Sequence, residues 1–213
     1  MDMRVQVTHE QLMTYARQPD DVLTHAFAGA VRTAFSQSVF PALFFGLTET
    51  QFGCLLDRYF PGAWRDLFAT AGLFDEQAPC PSFREDEIKD LVALLLDHRA
   101  SDREEVTWLA YALATGCMGS NHLWQDMGLT GRQALSDILR NNFTALHDKN
   151  VGNMKWKKFF YKQLCDRAEV NLCKAPSCQV CDDYQKCFGP EDASGLAALS
   201  VASGRAAREA ESV

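Results

Sequence analysis

A Ser or Thr followed three residues later by Glu or Gln recurs along this chain, at Thr8/Gln11, Thr48/Gln51, Ser82/Glu85, Ser101/Glu104 and Thr130/Gln133. In that pattern each side chain can satisfy a backbone amide left open by the first helical turn, so the pattern marks helix starts. Behind the third signature Phe83, Ile88, Leu91, Val92 and Leu95 recur at helical spacing, with Glu85, Asp86, Glu87, Lys89 and Asp90 between them, the mark of an amphipathic helix. Val106, Leu109 and Leu113 continue the pattern after the fourth signature, and Leu135, Ile138 and Leu139 after the fifth. No alternating strand pattern competes. The expected class is mostly α, a compact multi-helix domain with helices near 8–17, 20–37, 49–59, 83–98, 102–115, 131–147 and 153–169.

Pro and Gly punctuate the remainder at Pro41, Pro61-Gly62, Pro79 to Pro81 and Gly116 to Gly119. Beyond Pro190 the chain is rich in Ala, Ser and charge and poor in large apolar residues, which leaves it little to anchor itself with. The expected organisation is a helical domain over 1–170, a Cys-rich loop over 171–190 and a flexible, disordered or weakly helical tail over 191–213. The amino terminus lacks the apolar core of a signal peptide, and the aliphatic run from Leu91 to Leu96 is too short for a membrane span. A cytoplasmic protein with no membrane partner is expected. A formal net charge of -7 argues against a nucleic-acid partner held through phosphates.

In a reducing cytosol clustered cysteines point to metal or redox chemistry rather than a disulfide framework. Cys173, Cys178, Cys181 and Cys187 are separated by four, two and five residues, while Cys54, Cys80, Cys117 and Cys165 are scattered. A structural zinc site takes its ligands from two separated pairs, whereas only Cys178 and Cys181 form such a pair here. An iron-sulfur cluster spreads its metal corners wider, so ligands strung along one irregular loop can wrap it. Pro176 and Gly189 disfavour helix in that loop. The spacing favours an iron-sulfur cluster, with zinc and unligated thiols as the other readings. Lys174 and Lys186 are either counter-charges to a cluster or solvated surface lysines.

Two other stretches carry candidate chemistry. Residues 115–129 hold Cys117, His122 and Asp126 among Gly116, Gly119 and Gly128. His122 and Asp126, four apart, would share a helical face and could bind one metal. Alternatively Leu123, Trp124 and Met127 pack inward while Asn121, His122 and Asp126 make caps and turns. Residues 153–167 interleave Lys155, Lys157, Lys158, Lys162 and Arg167 with Trp156, Phe159, Phe160 and Tyr161, a composition that can bind nucleic acid. Trp156, Phe159, Phe160 and Leu164 fall on one stripe, which favours a core helix whose basic face could still attract an anion or dock an acidic partner protein. His9, His25, His98 and His147 lack metal-type spacing and are expected to be structural.

These residues together resemble the nitrogen-fixation protein NifQ family. The resemblance rests on the cysteine spacing, on KAPSCQVC and CFGP around it, and on NHLWQDMGL, NMKWKKFFYKQLC and FREDEIKDLVALLLDHR. It extends more loosely to YFPGAW, covers about 40–190, and shows no departure within the loop. It implies a carrier rather than an enzyme: a protein that assembles a molybdenum-iron-sulfur cluster and passes molybdenum, drawn from molybdate or another source, to the proteins assembling the nitrogenase iron-molybdenum cofactor. The implied cluster ligands are Cys173, Cys178, Cys181 and Cys187; independently of the resemblance, molybdenum at one corner would want donors beyond the thiolates, which makes His122, Asp126 and Cys117 of the second polar loop additional molybdenum-site candidates. Two alternatives are a helical DNA glycosylase-like iron-sulfur protein, for which no DNA-binding hairpin is found, and a zinc-stabilised interaction module.

Overall fold

The computed structural model describes residues 7–36, 46–68, 85–170, 178–181 and 184–191. Among them the helices are α1 (His9–Met13), α2 (Val22–Ser36), α3 (Glu49–Tyr59), α4 (Glu85–Leu96), α5 (Glu104–Cys117), α6 (Leu123–Asp126), α7 (Arg132–Asn142), α8 (Thr144–Lys149), α9 (Trp156–Arg167) and α10 (Tyr184–Phe188). No described residue lies in a strand. The chain divides into two units, Met1–Cys173 and Lys174–Val213. Pro41, Cys80, Ser82, Phe83, Cys173, Lys174 and the tail from 192 onward lie outside the described residues.

Two helix-start signatures are built as the sequence predicts. The Thr8 hydroxyl accepts from Gln11 N at 3.1 Å while Thr8 N donates to the Gln11 side chain at 2.9 Å. Thr48 and Gln51 repeat the exchange at 3.2 and 3.0 Å. A Thr48→Ala variant is expected to lose about 1 kcal/mol in urea unfolding, the usual value of such a cap. The signatures at Ser101 and Thr130 are not built. Helix α5 starts after Arg103 and α7 after Gly131, neither with a side-chain cap. Ser101 instead accepts from Arg103 Nε at 3.3 Å, and the Gln133 amide reaches forward to Asp137 at 3.0 Å. Glu104 and Glu105 in the first turn of α5 supply negative charge to its open amides.

Two boundaries and one additional turn differ from expectation, each because a tertiary contact wins. Helix α1 stops at Met13, and Arg17 N donates across the fold to Tyr59 O at 2.9 Å. The helix expected over 131–147 breaks at Phe143, whose backbone (φ -139°, ψ 49°) leaves the helical region as its ring becomes fully buried. Trp64–Phe68 forms a π-helical turn that sets Phe68 edge-on against Phe52, with ring centroids 5.5 Å apart.

In the first unit α5 is the hub: Val106, Trp108, Leu109, Ala110 and every residue from Ala112 to Cys117 are buried. A helix apolar nearly all round belongs inside a bundle. It packs against α2, α4, α6 and α3, while α1 lies on α2, α9 on α4 and α7 on α8. The expected stripes are buried, Ile88, Leu91, Val92 and Leu95 on α4 and Leu135, Ile138 and Leu139 on α7. Trp156, Phe159 and Phe160 of α9 are likewise buried, so this aromatic stripe is core. No helix among the described residues is long and apolar enough to cross a membrane.

Candidate metal centre

In the second unit the stretch expected to be irregular contains local helical structure. Cys178–Val180 makes one turn of 3-10 helix, and Cys181 N donates back to Cys178 O at 3.4 Å. Cys181 O then accepts from Tyr184 N at 3.1 Å, leading into α10. The Tyr184 and Phe188 rings, one turn apart, stack at 4.5 Å and stiffen this short helix, on which Cys187 sits. Gly189 N closes its end by donating to Gln185 O at 2.8 Å. A five-residue helix is marginal by itself, so the stacked rings and the closing amide bond supply its local support.

Cys178 is exposed, Cys181 and Cys187 are half-buried, and all three are free thiols. Thiols that are reduced and reachable have the chemistry of cluster ligands. Among the described residues no group of three or more His, Cys, Asp or Glu side chains is gathered closely enough to hold a metal ion. The fourth predicted ligand, Cys173, lies outside the described residues.

The 115–129 stretch belongs to the first unit and has its own geometry. Asp126 is buried, and its carboxylate accepts from Asn121 N at 3.1 Å, from the Asn121 amide at 3.0 Å and from Lys157 Nζ at 2.6 Å. Lys157 also donates to Gly119 O at 2.7 Å. Leu123 and Met127 face the core, and His122 stands at the start of α6, its N-H donating to the Gln125 side chain at 3.1 Å. Burial pushes the Cys117 thiol up to about 12, against the nearby Lys157 cation, so it is protonated at neutral pH. Bringing Asp126 or Cys117 to a metal would require breaking the Lys157 contact or ionising that thiol.

The histidines expected to be structural divide in two. His98 is fixed between Leu94 O and Lys149 Nζ, each at 2.8 Å, and His147 contacts Asp148 at 3.0 Å. His9 and His25 instead meet each other, which their sequence spacing did not signal.

The NifQ family model matches residues 26–189, from within α2 to the end of the cysteine segment. The chain belongs to the NifQ family. It is 40% identical to Protein NifQ of Azotobacter vinelandii over 153 residues, covering 68% of this chain and 77% of the relative. Protein NifQ of Rhodobacter capsulatus is 36% identical over 146 residues, covering 68% and 76%. A Protein NifQ homolog of Sinorhizobium fredii is 34% identical over 162 residues, covering 76% and 67%. No solved structure matches the chain. NifQ membership ties it to nitrogen fixation. The family match takes in all four cysteines and the Asp126-Lys157 pair, whereas His9 and His25 precede it.

Proposed function

We propose that this NifQ-family chain is a cytoplasmic carrier that holds a molybdenum-iron-sulfur cluster as cargo and donates molybdenum for synthesis of the nitrogenase iron-molybdenum cofactor. It acts without catalytic turnover, and the proteins that build the cofactor are its acceptors. The observation carrying this reading is the Cys173, Cys178, Cys181, Cys187 series, within the family match, with its three described members free, Cys178 exposed and none of the three fully buried. Thiolates on a short segment can grip the sulfur-bridged core by one side, leaving another side for a partner to approach. Local helices supported by few contacts open at low free-energy cost, which suits ligands that must gather around a cargo and later release it.

Anaerobic purification followed by iron, sulfide, molybdenum and zinc analysis tests the proposal. Wild-type protein should carry iron and acid-labile sulfide, and take up molybdenum when molybdate is supplied to the producing cells. Cys178→Ser and Cys181→Ser variants should lose most of both iron and sulfide with little change in thermal unfolding of the helical body. Zinc in place of iron in the wild type, or full iron and sulfide retention in both variants, would overturn it.

A further inference from the structure

His9 is the first residue of α1 and His25 lies in α2, yet His25 Nδ1 stands 3.4 Å from His9 Nε2. The ring centroids are 5.4 Å apart and the planes are inclined by 16°. Hydrogen bonds donated by nitrogen usually span about 2.7–3.2 Å, so this contact is long for a shared proton. Both lengths fit one ion between the rings. Imidazole nitrogens about 2.0–2.1 Å from a tetrahedral centre lie about 3.3–3.4 Å apart, with centroids about 5.2–5.3 Å apart.

The surroundings hold this geometry. The Thr8-Gln11 exchange fixes the first turn of α1 and with it the backbone of His9. Gly128, at φ +66°, lies against the His9 ring: a Cβ there would come within 2.9 Å of Cδ2 and 3.1 Å of Nε2. Both histidines are half-buried, and burial first, then His25, holds His9 below the ordinary histidine range. Glu10 beside it favours positive charge at this place. Arg32 opposes it, but its guanidinium is turned to Gln125 O at 3.0 Å and Asp126 O at 3.4 Å.

We propose that His9 Nε2 and His25 Nδ1 form a two-imidazole site for a divalent ion of the zinc class, with water completing its tetrahedral coordination. Imidazole suits such borderline ions, and only two protein ligands make the site exchangeable. The bound ion clasps α1 to α2. The site uses neither the cysteines nor the cluster proposal.

Nitrogen NMR of the full chain, titrated with zinc(II), tests it residue by residue. Zinc added beyond what the cysteine series binds should move His9 Nε2 and His25 Nδ1 while His98 and His147 stay in place. In His9→Gln and His25→Gln, zinc affinity at this site should fall by more than about tenfold, since losing even an outer-shell partner of a ligand costs about 10–100-fold, with cluster iron content unchanged. The wild-type nitrogen shifts decide the matter by themselves if either variant fails to fold. Unmoved nitrogens at millimolar zinc, or unchanged affinity in a folded variant, would overturn the site; loss of cluster iron in the cysteine variants would be a separate result.

Discussion

Replacing Lys157 by methionine is expected to lower the unfolding free energy by about 3–5 kcal/mol, the loss that follows when one member of a buried ion pair is left alone. The two side chains are only 18% and 4% exposed, and Lys157 Nζ serves both Asp126 at 2.6 Å and Gly119 O at 2.7 Å. Methionine keeps the apolar stem but supplies no donor, so the Asp126 carboxylate retains only the two Asn121 contacts. The surface pairs Arg99-Asp102 and Arg140-Asp137 are far more exposed. Their removal should cost at most about 1 kcal/mol. Urea unfolding of Lys157→Met, Asp126→Asn and the double variant gives the coupling, expected at about 1–3 kcal/mol because a neutral amide needs the cation less. A single-variant loss below about 1 kcal/mol would show that water already screens the pair.

Lys157 also shows where sequence reading stops. The stripe of Trp156, Phe159 and Phe160 was legible because apolar side chains at helical spacing must share a face. Lys157 borders that stripe, and whether a bordering lysine reaches solvent or folds under depends on a buried carboxylate 31 positions away. Helices long enough to show a period were legible for the same reason. Helix α6, with four residues, and the five-residue π turn are too short to show one. The break at Phe143 was hidden because a buried Phe is in phase with either one helix or two. The helix-start signatures at Thr8 and Thr48 were reliable because those residues are the N-caps, whereas Ser101 and Thr130 lie ahead of the actual N-caps, Arg103 and Gly131. In the site, cysteine spacing was legible, but spacing does not tell an exposed thiol such as Cys178 from one as enclosed as Cys117. The approach of His9 to His25 is purely tertiary, made by the packing of α1 on α2.

That packing leads to the second large effect, because the same helix passes Gly128 through Gly29. A Cβ built at Gly29 would lie 2.1 Å from Met127 C, 2.3 Å from Met127 O and 2.4 Å from Gly128 N. These are backbone atoms, and no rotamer change can clear them. Gly29→Ala should therefore cost about 3 kcal/mol or more, at or above the upper end of ordinary overpacking. Helix propensity alone predicts the reverse, a gain of about 0.5–1 kcal/mol for Gly→Ala in a helix interior. Gly53 in α3 supplies the matched control, since nothing lies within 4 Å of its added methyl. Gly53→Ala should be neutral or stabilising by that amount. To admit the new methyl at position 29, α2 must move off the turn, straining the Thr33 Oγ1 bond to Asp126 O at 2.8 Å and the Arg32 bond to Gln125 O at 3.0 Å. Those two bonds lie about one turn further along the helix, so the damage should spread cooperatively rather than remain at one contact. Thermal unfolding of both glycine variants separates the two causes: opposite signs at 29 and 53 assign the effect to close backbone approach, and equal gains would leave helix propensity as the whole account.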